Sequence, residues 1–170
     1  MDYKSTIREI PDYPKKGILF YDLSTLWKNA GAFKSAIDEI AAKYSGKGIT
    51  KVVGAESRGF IVGAPVAYLL GAGFVPIRKQ GKLPSETVSK SYSLEYGEAV
   101  IEIHKDAIDK GEKVLFVDDL LATGGTSGAA IELVKSLGGN VAAAAFLVEL
   151  EFLDGRKLLT GTEVFALVKY

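Results

Sequence analysis

The stretch of residues 114–126 constrains the fold of this 170-residue chain more than any other. It begins with four apolar residues, two of them β-branched and one aromatic, a pattern typical of a buried strand in a parallel sheet. Asp118 and Asp119 follow side by side at the carboxyl end of that strand. A short Thr/Gly loop comes next, and apolar residues at helical spacing begin after Ser127. We therefore predict a strand, an acidic pair, a glycine loop and a helix in direct succession.

This succession is typical of a site for a sugar phosphate. A helix that begins near Thr126 leaves its first backbone N–H groups unpaired, and they carry the positive end of the helix dipole. Gly124 and Gly125 lack a Cβ, so the loop can wrap its amides around a phosphate. The two carboxylates repel a phosphate but suit the hydroxyls of a ribose, or a positive charge that develops on it. Without a ligand, the same pattern would be an ordinary turn before an N-capped helix, and the adjacent acids argue against that interpretation.

The rest of the chain alternates predicted strands with predicted helices. Helices are predicted over about residues 23–44, over residues 59–70 and from the glycine loop to about residue 137; strands are predicted over residues 50–55, 74–77, 141–148 and 164–168. This alternation indicates an α/β fold, a doubly wound parallel sheet flanked by helices. Ligands of such sheets bind at the carboxyl ends of the strands, where the richest motifs of this chain fall.

Composition excludes several classes of function. A chain with 48% hydrophobic residues suits one domain with a sizeable core. Its 21 basic and 21 acidic residues balance, so attraction to nucleic acid or to an acidic membrane is not indicated. The chain has no cysteine, which excludes disulfides and thiolate zinc sites and suits the cytoplasm; the first residues also lack the pattern of a signal peptide. The uncharged run of residues 59–77 is long enough for a membrane span, but Pro65, Pro76 and Gly71 favour a buried helix followed by a strand.

The sequence V-L-F-V-D-D-L-L-A-T-G-G-T at residues 114–126 resembles the signature for 5-phospho-α-D-ribose 1-diphosphate (PRPP) of type I phosphoribosyltransferases, in the form that adenine phosphoribosyltransferases carry. Further motifs follow in the family's order: P-D-Y-P-K-K-G-I-L-F-Y-D, E-S-R-G-F, R-K-Q-G-K-L-P, S-Y-S-L-E-Y-G and L-V-E-L. The resemblance covers nearly the whole chain. It implies the type I phosphoribosyltransferase fold as a single domain over residues 1–170, with an N-terminal hood over about residues 1–30 and a flexible lid loop over about residues 79–106.

The resemblance also implies which residues hold PRPP. Those implied to bind the 5′-phosphate are Ala122, Thr123, Gly124, Gly125, Thr126 and Ser127. Those implied to bind the diphosphate are Glu56, Ser57, Arg58, Arg78, Lys79 and Lys82. The peptide between Glu56 and Ser57 is expected to be cis, as is typical of this family. Taken alone, Arg58 would be a helix cap or an ion pair, and the three later cations a solvated turn.

For the purine and the chemistry, the resemblance implies two further groups of residues. Leu19, Phe20 and Tyr21 are expected to bind adenine, with Phe20 stacked on the ring and backbone groups at its edge. The catalytic residues are expected to be Glu95, Asp118, Asp119 and Arg58, with Tyr96 in the lid. Glu95 is the candidate for proton transfer at the base, although a solvated loop acid is the simpler interpretation. Many members carry a basic residue where this chain has Tyr21.

The implied activity is purine salvage, in which adenine and PRPP give AMP and diphosphate. Mg²⁺ is expected to be bound by the substrate, through its diphosphate and ribose hydroxyls and water, and no direct protein ligand is assigned. A cytoplasmic homodimer is expected, with neither nucleic acid nor a membrane as partner. Two alternatives stay open: a phosphoribosyltransferase for another purine base such as hypoxanthine or xanthine, and a non-catalytic PRPP-binding regulator.

Overall fold

The computed structural model describes residues 1–93 and 97–170, in which strands and helices alternate over most of the chain. The strands are β1 (Arg8–Pro11), β2 (Leu19–Asp22), β3 (Lys51–Ala55), β4 (Gly73–Lys79), β5 (Thr87–Ser93), β6 (Glu98–His104), β7 (Lys113–Leu121), β8 (Asn140–Glu149) and β9 (Glu163–Lys169). The α-helices are α1 (Ser24–Trp27), α2 (Ala30–Tyr44), α3 (Arg58–Leu70) and α4 (Gly125–Ser136). Short 3₁₀ turns cover Lys4–Thr6, Glu151–Leu153 and Gly155–Leu158.

Seven strands form the central sheet, in the order β5-β6-β4-β3-β7-β8-β9. The five strands from β4 to β9 in this order are parallel to their neighbours, whereas β6 runs antiparallel to β4 and β5 antiparallel to β6. The predicted α/β fold with a parallel sheet is therefore confirmed, with an antiparallel hairpin added at one edge. Strands β1 and β2 form a separate two-stranded antiparallel sheet, which lies within the predicted hood.

Helices cover both faces of the sheet because side chains alternate between the faces along each strand. In β3, Val52 packs in a core with residues of α2 and α3, and Val53 packs in a second core with residues of α4. In β7, Leu115 and Phe116 divide in the same way. These strands are buried on both faces, which explains their uninterrupted apolar sequences.

The sheet has a topological switch point between β3 and β7. From β3 the chain crosses to β4 on one side, and it later returns to place β7 on the other side. Pairing between β3 and β7 stops at Gly54 and Val117, whereas β7 continues beside β8 as far as Leu121 and Glu149. A crevice therefore opens at the carboxyl ends of β3 and β7, the usual place for a ligand in such a sheet.

The acidic pair lies inside β7, not after its end as the sequence predicts. Asp118 is paired with Phe146 of β8, and the strand ends three residues later at Leu121. The apolar run and the pairing of β7 with β3 both stop at Val117. Beyond that residue β7 continues through the two acids because it stays paired with β8.

One other local prediction is wrong, and one strand was not predicted. The single helix predicted over residues 23–44 is divided into α1 and α2, because Asn29 is extended and its Oδ1 accepts a hydrogen bond of 3.0 Å from the Ala32 amide as an N-cap. Strand β5 lies in the stretch over residues 79–106, for which the family resemblance implies only a lid. It is paired residue for residue with β6, from Thr87–His104 to Ser93–Glu98.

The uncharged residues 59–77 form most of α3 and β4, and none of the helices among the described residues is both long and apolar enough to cross a membrane.

Candidate active site

A cavity of about 420 Å³ lies at the switch point, between the loops that follow β3 and β7. Its lining combines three acids, two cations and a run of loop amides. The described residues that line it are Glu56, Ser57, Arg58, Lys79, Asp118, Asp119, Leu120, Ala122, Thr123, Gly124, Gly125, Thr126 and Ser127. Residues that are far apart in the sequence therefore meet here, and most of those predicted to bind PRPP are among them.

The acidic pair is buried at the floor of this cavity. Asp118 is 9% exposed and Asp119 is 3% exposed. The Asp119 amide donates a hydrogen bond of 2.9 Å to Oδ1 of Asp118. Arg58 Nε lies 2.8 Å from Oδ2 of Asp119, an ion pair without the alignment of a hydrogen bond, and that buried oxygen has no hydrogen-bond partner among the described residues.

Burial is the main cause that raises the pKa of both Asp118 and Asp119 above that of a free aspartate. The charge of Asp119 raises the pKa of Asp118 further, and the nearby Arg58 guanidinium acts in the opposite direction on both. Negative charge on this buried pair is therefore costly. A positive charge close to the two carboxylates would remove that cost, so the pair is suited to a cationic group.

The first turn of α3 brings Arg58 to the acids. The peptide between Glu56 and Ser57 is cis, as expected, and Arg58 is the first residue of the helix. A Cβ at Gly59 would lie 2.7 Å from Oδ1 of Asp118, closer than folded proteins allow. Only glycine permits this approach of α3 to β7.

The structure divides the three cations that are predicted, with Arg58, to clamp the diphosphate: Arg78, Lys79 and Lys82. Arg78 Nε donates a hydrogen bond of 3.1 Å to Oε2 of Glu56, and the Lys79 amide donates one of 2.8 Å to the same oxygen. The Lys79 side chain lines the cavity, whereas Lys82 is exposed and contributes its carbonyl oxygen to Arg78. Glu56 therefore ties the end of β4 to the loop after β3.

The glycine loop leads directly into α4. Gly124 has φ +85° and is the N-cap, and the first helical hydrogen bond runs from the Gly128 amide to the Gly124 carbonyl at 2.8 Å. The amides of residues 125–127 precede that bond and have no acceptor within the helix. Thr126 Oγ1 donates a hydrogen bond of 3.1 Å to the Tyr92 hydroxyl, which connects the loop to β5.

The strand predicted to bind adenine lies outside this cavity. None of Leu19, Phe20 and Tyr21 is among the described residues that line it. The Phe20 ring is half-buried and packs edge-on against Tyr13 at a centroid distance of 5.2 Å. Tyr21 is buried and its ring lies 3.9 Å from that of Tyr170, so its side chain belongs to the core and only its backbone is available to a base.

Glu95 and Tyr96 lie outside the described residues, so their predicted roles are not tested. Two residues for which no individual role is predicted contact the glycine loop: Tyr92, through Thr126, and Gly155, through its backbone. Tyr92 lies within the motif S-Y-S-L-E-Y-G, so the family resemblance could have indicated that it is part of the site. No local sequence pattern indicates the role of Gly155, because the residues that it contacts in the loop are far away in the sequence.

Comparison with known proteins identifies the class and then the family. Residues 27–157 match the family model of the phosphoribosyl transferase domain. The chain is 56% identical to the adenine phosphoribosyltransferase of Trichlorobacter lovleyi, over 99% of both chains. The crystal structure of the enzyme of that name from Thermoanaerobacter pseudethanolicus matches with a TM-score of 0.95 and 53% identity, and covers 99% of this chain and 98% of its own. The chain belongs to the adenine phosphoribosyltransferase family.

A further solved structure carries ligands. Adenine phosphoribosyltransferase from Saccharomyces cerevisiae, in complex with D-2,5-dideoxy-2,5-imino-altritol 1,6-bisphosphate and adenine, matches with a TM-score of 0.93 and 42% identity. The match covers 98% of this chain and 96% of the yeast chain.

Proposed function

We propose that this protein transfers the phosphoribosyl group of PRPP to adenine, giving AMP and diphosphate with inversion at the anomeric carbon. The observation that carries the proposal is the meeting of a buried acidic pair, an arginine and an open helix N-terminus in one cavity. The full-length identity to adenine phosphoribosyltransferases and the yeast complex with adenine support the choice of base.

In this proposal the 5′-phosphate is held by Ala122, Thr123, Gly124, Gly125, Thr126 and Ser127. The support is the set of amides at the start of α4, which have no acceptor in the helix and carry the positive end of its dipole. The Thr126 hydroxyl can leave Tyr92 to donate to the phosphate.

The diphosphate is proposed to lie against Ser57, Arg58 and Lys79, which line the same cavity. Glu56 and Arg78 are proposed to act on the diphosphate indirectly. The Glu56 carboxylate accepts hydrogen bonds from the Arg78 guanidinium and from the Lys79 amide, and so fixes the position of both residues. Lys82 is exposed beside Arg78, and we propose that it adds positive charge at the rim. Fixed cations at the leaving group stabilise the charge that develops there.

Asp118 and Asp119 are proposed to stabilise the ribose as the C1–diphosphate bond breaks. The ring then carries positive charge, and two buried carboxylates beside it provide the electrostatic complement. Because the pair is poorly solvated before the reaction, its charge interacts most strongly when the cationic ribose forms. The pair thus favours the transition state over the bound substrate.

At the other end, adenine is proposed to stack on Phe20, with backbone groups of Leu19 and Tyr21 at its edge. The burial of the Tyr21 side chain against Tyr170 supports recognition by the backbone and not by the side chain at this position. Glu95 is proposed to carry the proton from the base and Tyr96 to belong to a lid over residues 79–106; both residues lie outside the described part of the chain, so these roles rest on the resemblance.

Magnesium fits the carboxylates of this site. Apart from its ion pair with Arg58, the buried Asp119 Oδ2 has no hydrogen-bond partner among the described residues, and carboxylate oxygen is a preferred ligand of Mg²⁺. No group of three or more acidic or histidine side chains able to hold a metal occurs within residues 1–93 and 97–170. We therefore propose that the diphosphate, the ribose hydroxyls and water supply most ligands, with Asp118 and Asp119 nearby. When bound, the ion neutralises charge on the leaving diphosphate.

A cytoplasmic homodimer is also proposed. Helix α3 carries an exposed apolar face with Ile61, Tyr68 and Leu69, of which Tyr68 is 84% exposed. Apolar patches of this kind mark contacts between proteins. The absence of cysteine from the sequence suits a reducing compartment.

A panel of purine bases with PRPP and Mg²⁺ tests the proposed reaction. Adenine is expected to give AMP, and hypoxanthine, xanthine and guanine are expected to react at least about 10²-fold more slowly, because a site that hydrogen-bonds one base edge leaves polar groups unpaired with another. Faster reaction of another base would assign that base to the enzyme. No nucleotide from any base, together with retention of DNA in a gel shift, would indicate a regulator.

A further inference from the structure

The glycine loop rests directly on the backbone of a distant turn. A Cβ on Gly124 would overlap the carbonyl oxygen of Gly155, and a Cβ on Gly155 would overlap the carbonyl oxygen of Ala122. Both hypothetical atoms fall well inside 3.0 Å, a separation that real Cβ atoms essentially never show. The backbone of the loop and the backbone of the turn therefore touch. A side chain at Gly124 would displace the turn, and a side chain at Gly155 would displace the loop at Ala122.

The turn that begins with Gly155 is held in place by an ion pair between a buried carboxylate and a partly exposed arginine. Glu149, at the end of β8, is 3% exposed, and its two oxygens each lie 2.5 Å from a guanidinium nitrogen of Arg156. The third nitrogen of Arg156 donates a hydrogen bond of 3.0 Å to the carbonyl of Val164 in β9. Arg156 thus attaches the turn to two strands by a bidentate fork that lysine cannot reproduce.

The backbone at Glu149 also lies beside the start of the loop. Glu149 is the register partner of Leu121, the last residue of β7, and the Leu150 amide donates a hydrogen bond of 2.9 Å to the Leu121 carbonyl. The loop is therefore supported on one side by β8 and underneath by Gly155. Amides aimed at a phosphate bind it best when their positions are fixed in advance.

We propose that Gly155, fixed by the Glu149–Arg156 ion pair, is a positioning residue that sets the shape of the loop 122–127 for the 5′-phosphate. This rests on the proposed function of that loop. It gives Glu149, in the motif L-V-E-L, a role in binding the substrate although it does not line the cavity.

The test compares G155A, R156K and the control K157A. Lys157 lies on the same turn, and its ion pair with Asp154 is exposed. The readouts are the Kd for ribose 5-phosphate by calorimetry, the KM values for PRPP and adenine, and circular dichroism. In G155A, and to a smaller extent in R156K, the Kd for ribose 5-phosphate and the KM for PRPP are expected to rise about tenfold to a hundredfold, as for a small displacement of binding groups. The KM for adenine and the values for K157A are expected to stay unchanged.

Two results would overturn the proposal: folded G155A that binds ribose 5-phosphate as the wild type does, or equal rises of both KM values in R156K. If G155A does not fold, R156K carries the same test, because lysine keeps the charge and loses only the fork. Failure of the proposed function is a different result, in which the wild type itself neither binds ribose 5-phosphate nor forms AMP.

Discussion

The two ends of the proposed substrate site are built differently. The phosphate end lies between an interior strand and α4, with a buried acidic pair behind it and the Gly155 turn beneath its loop. The base end is a small separate sheet, in which Leu19 of β2 is 41% exposed and Tyr13, in the segment between β1 and β2, is 53% exposed.

The difference follows from what each end is proposed to bind. A phosphate is a compact anion, which is held by donors whose positions are fixed before it arrives. Adenine is flat and uncharged, and one stacking ring with a few backbone groups can bind it. Substitutions at the phosphate end should therefore strongly affect the binding of PRPP and the rate of the chemical step. Substitutions at the base end should affect only the binding of adenine, and more weakly.

The acidic pair gives the largest expected effect. D118N and D119N keep the shape of the side chain and remove its charge, so kcat is expected to fall by about 10²–10³-fold, as for the loss of one preorganised group that stabilises a transition-state charge. Steady-state kinetics at saturating PRPP and adenine measure this. The exposed acid Asp106 supplies the control D106N, which should keep full activity. An unchanged kcat in both D118N and D119N would contradict the proposal that the acidic pair stabilises the transition state.

At the base end, F20L removes the ring proposed to stack on adenine. Since stacking of a base on an aromatic side chain contributes about 1–3 kcal/mol, the KM for adenine is expected to rise about tenfold. The KM for PRPP should not change. Phe152 is 66% exposed and has no proposed role, so F152L is the matched control. A rise in the KM for PRPP instead would mean that the two ends are not separate.

Carboxylates at the two ends should respond to pH with opposite sign. Burial raises the pKa of Asp118, so the wild type loses stability as pH rises from about 4 through that raised value, and D118N does not. D118N is therefore expected to have a higher free energy of unfolding than the wild type at pH 8, and the same free energy of unfolding at pH 4.

Asp22 in β2 is the matched contrast. Hydrogen bonds from Ser24, with a further contribution from Arg8, lower its pKa to about 2. Its stabilisation is present above the pKa of a free aspartate and is lost as pH falls towards 2. D22N should therefore be less stable than the wild type at pH 7. Urea unfolding at several pH values measures both variants, and a D118N variant that is less stable than the wild type at pH 8 would contradict the assignment for the buried pair.

The smallest expected effect concerns the support of the base-binding strand. Tyr170 packs its ring 3.9 Å from that of Tyr21, and Lys4 Nζ lies 4.7 Å from the centre of the Tyr170 ring. Y170L is expected to raise the KM for adenine about threefold through loss of an aromatic pair worth about 0.5–1.5 kcal/mol, with the KM for PRPP unchanged. Y170F is the control, because the buried hydroxyl of Tyr170 has no hydrogen-bond partner in the part of the chain that the structure describes. Equal KM values in Y170L and the wild type would remove this support.

The phosphate end could be predicted from the sequence because its parts are local. The apolar run before Asp118, the glycines and the helical spacing after Ser127 each have a direct structural meaning, and they predict β7, the loop and α4 to within a few residues. The cis peptide at Glu56 followed from the family resemblance and is confirmed.

The parts that could not be predicted depend on pairing or on distant contacts. Strand β5 has a polar sequence and exists through its ladder with β6. The burial of Tyr21 depends on Tyr170, and the contact of Gly155 with Ala122 depends on where β8 and β9 bring the chain. No local pattern carries this information.

A crystal structure with ribose 5-phosphate bound would show whether the loop 122–127 binds the phosphate and the acidic pair binds the ribose. The phosphate oxygens are predicted to lie within hydrogen-bond distance of the backbone amides of residues 124–127, with ribose hydroxyls on the carboxylates of Asp118 and Asp119. A phosphate bound instead among Arg78 and Lys82, with the loop 122–127 free of ligand, would contradict the proposed role of the loop.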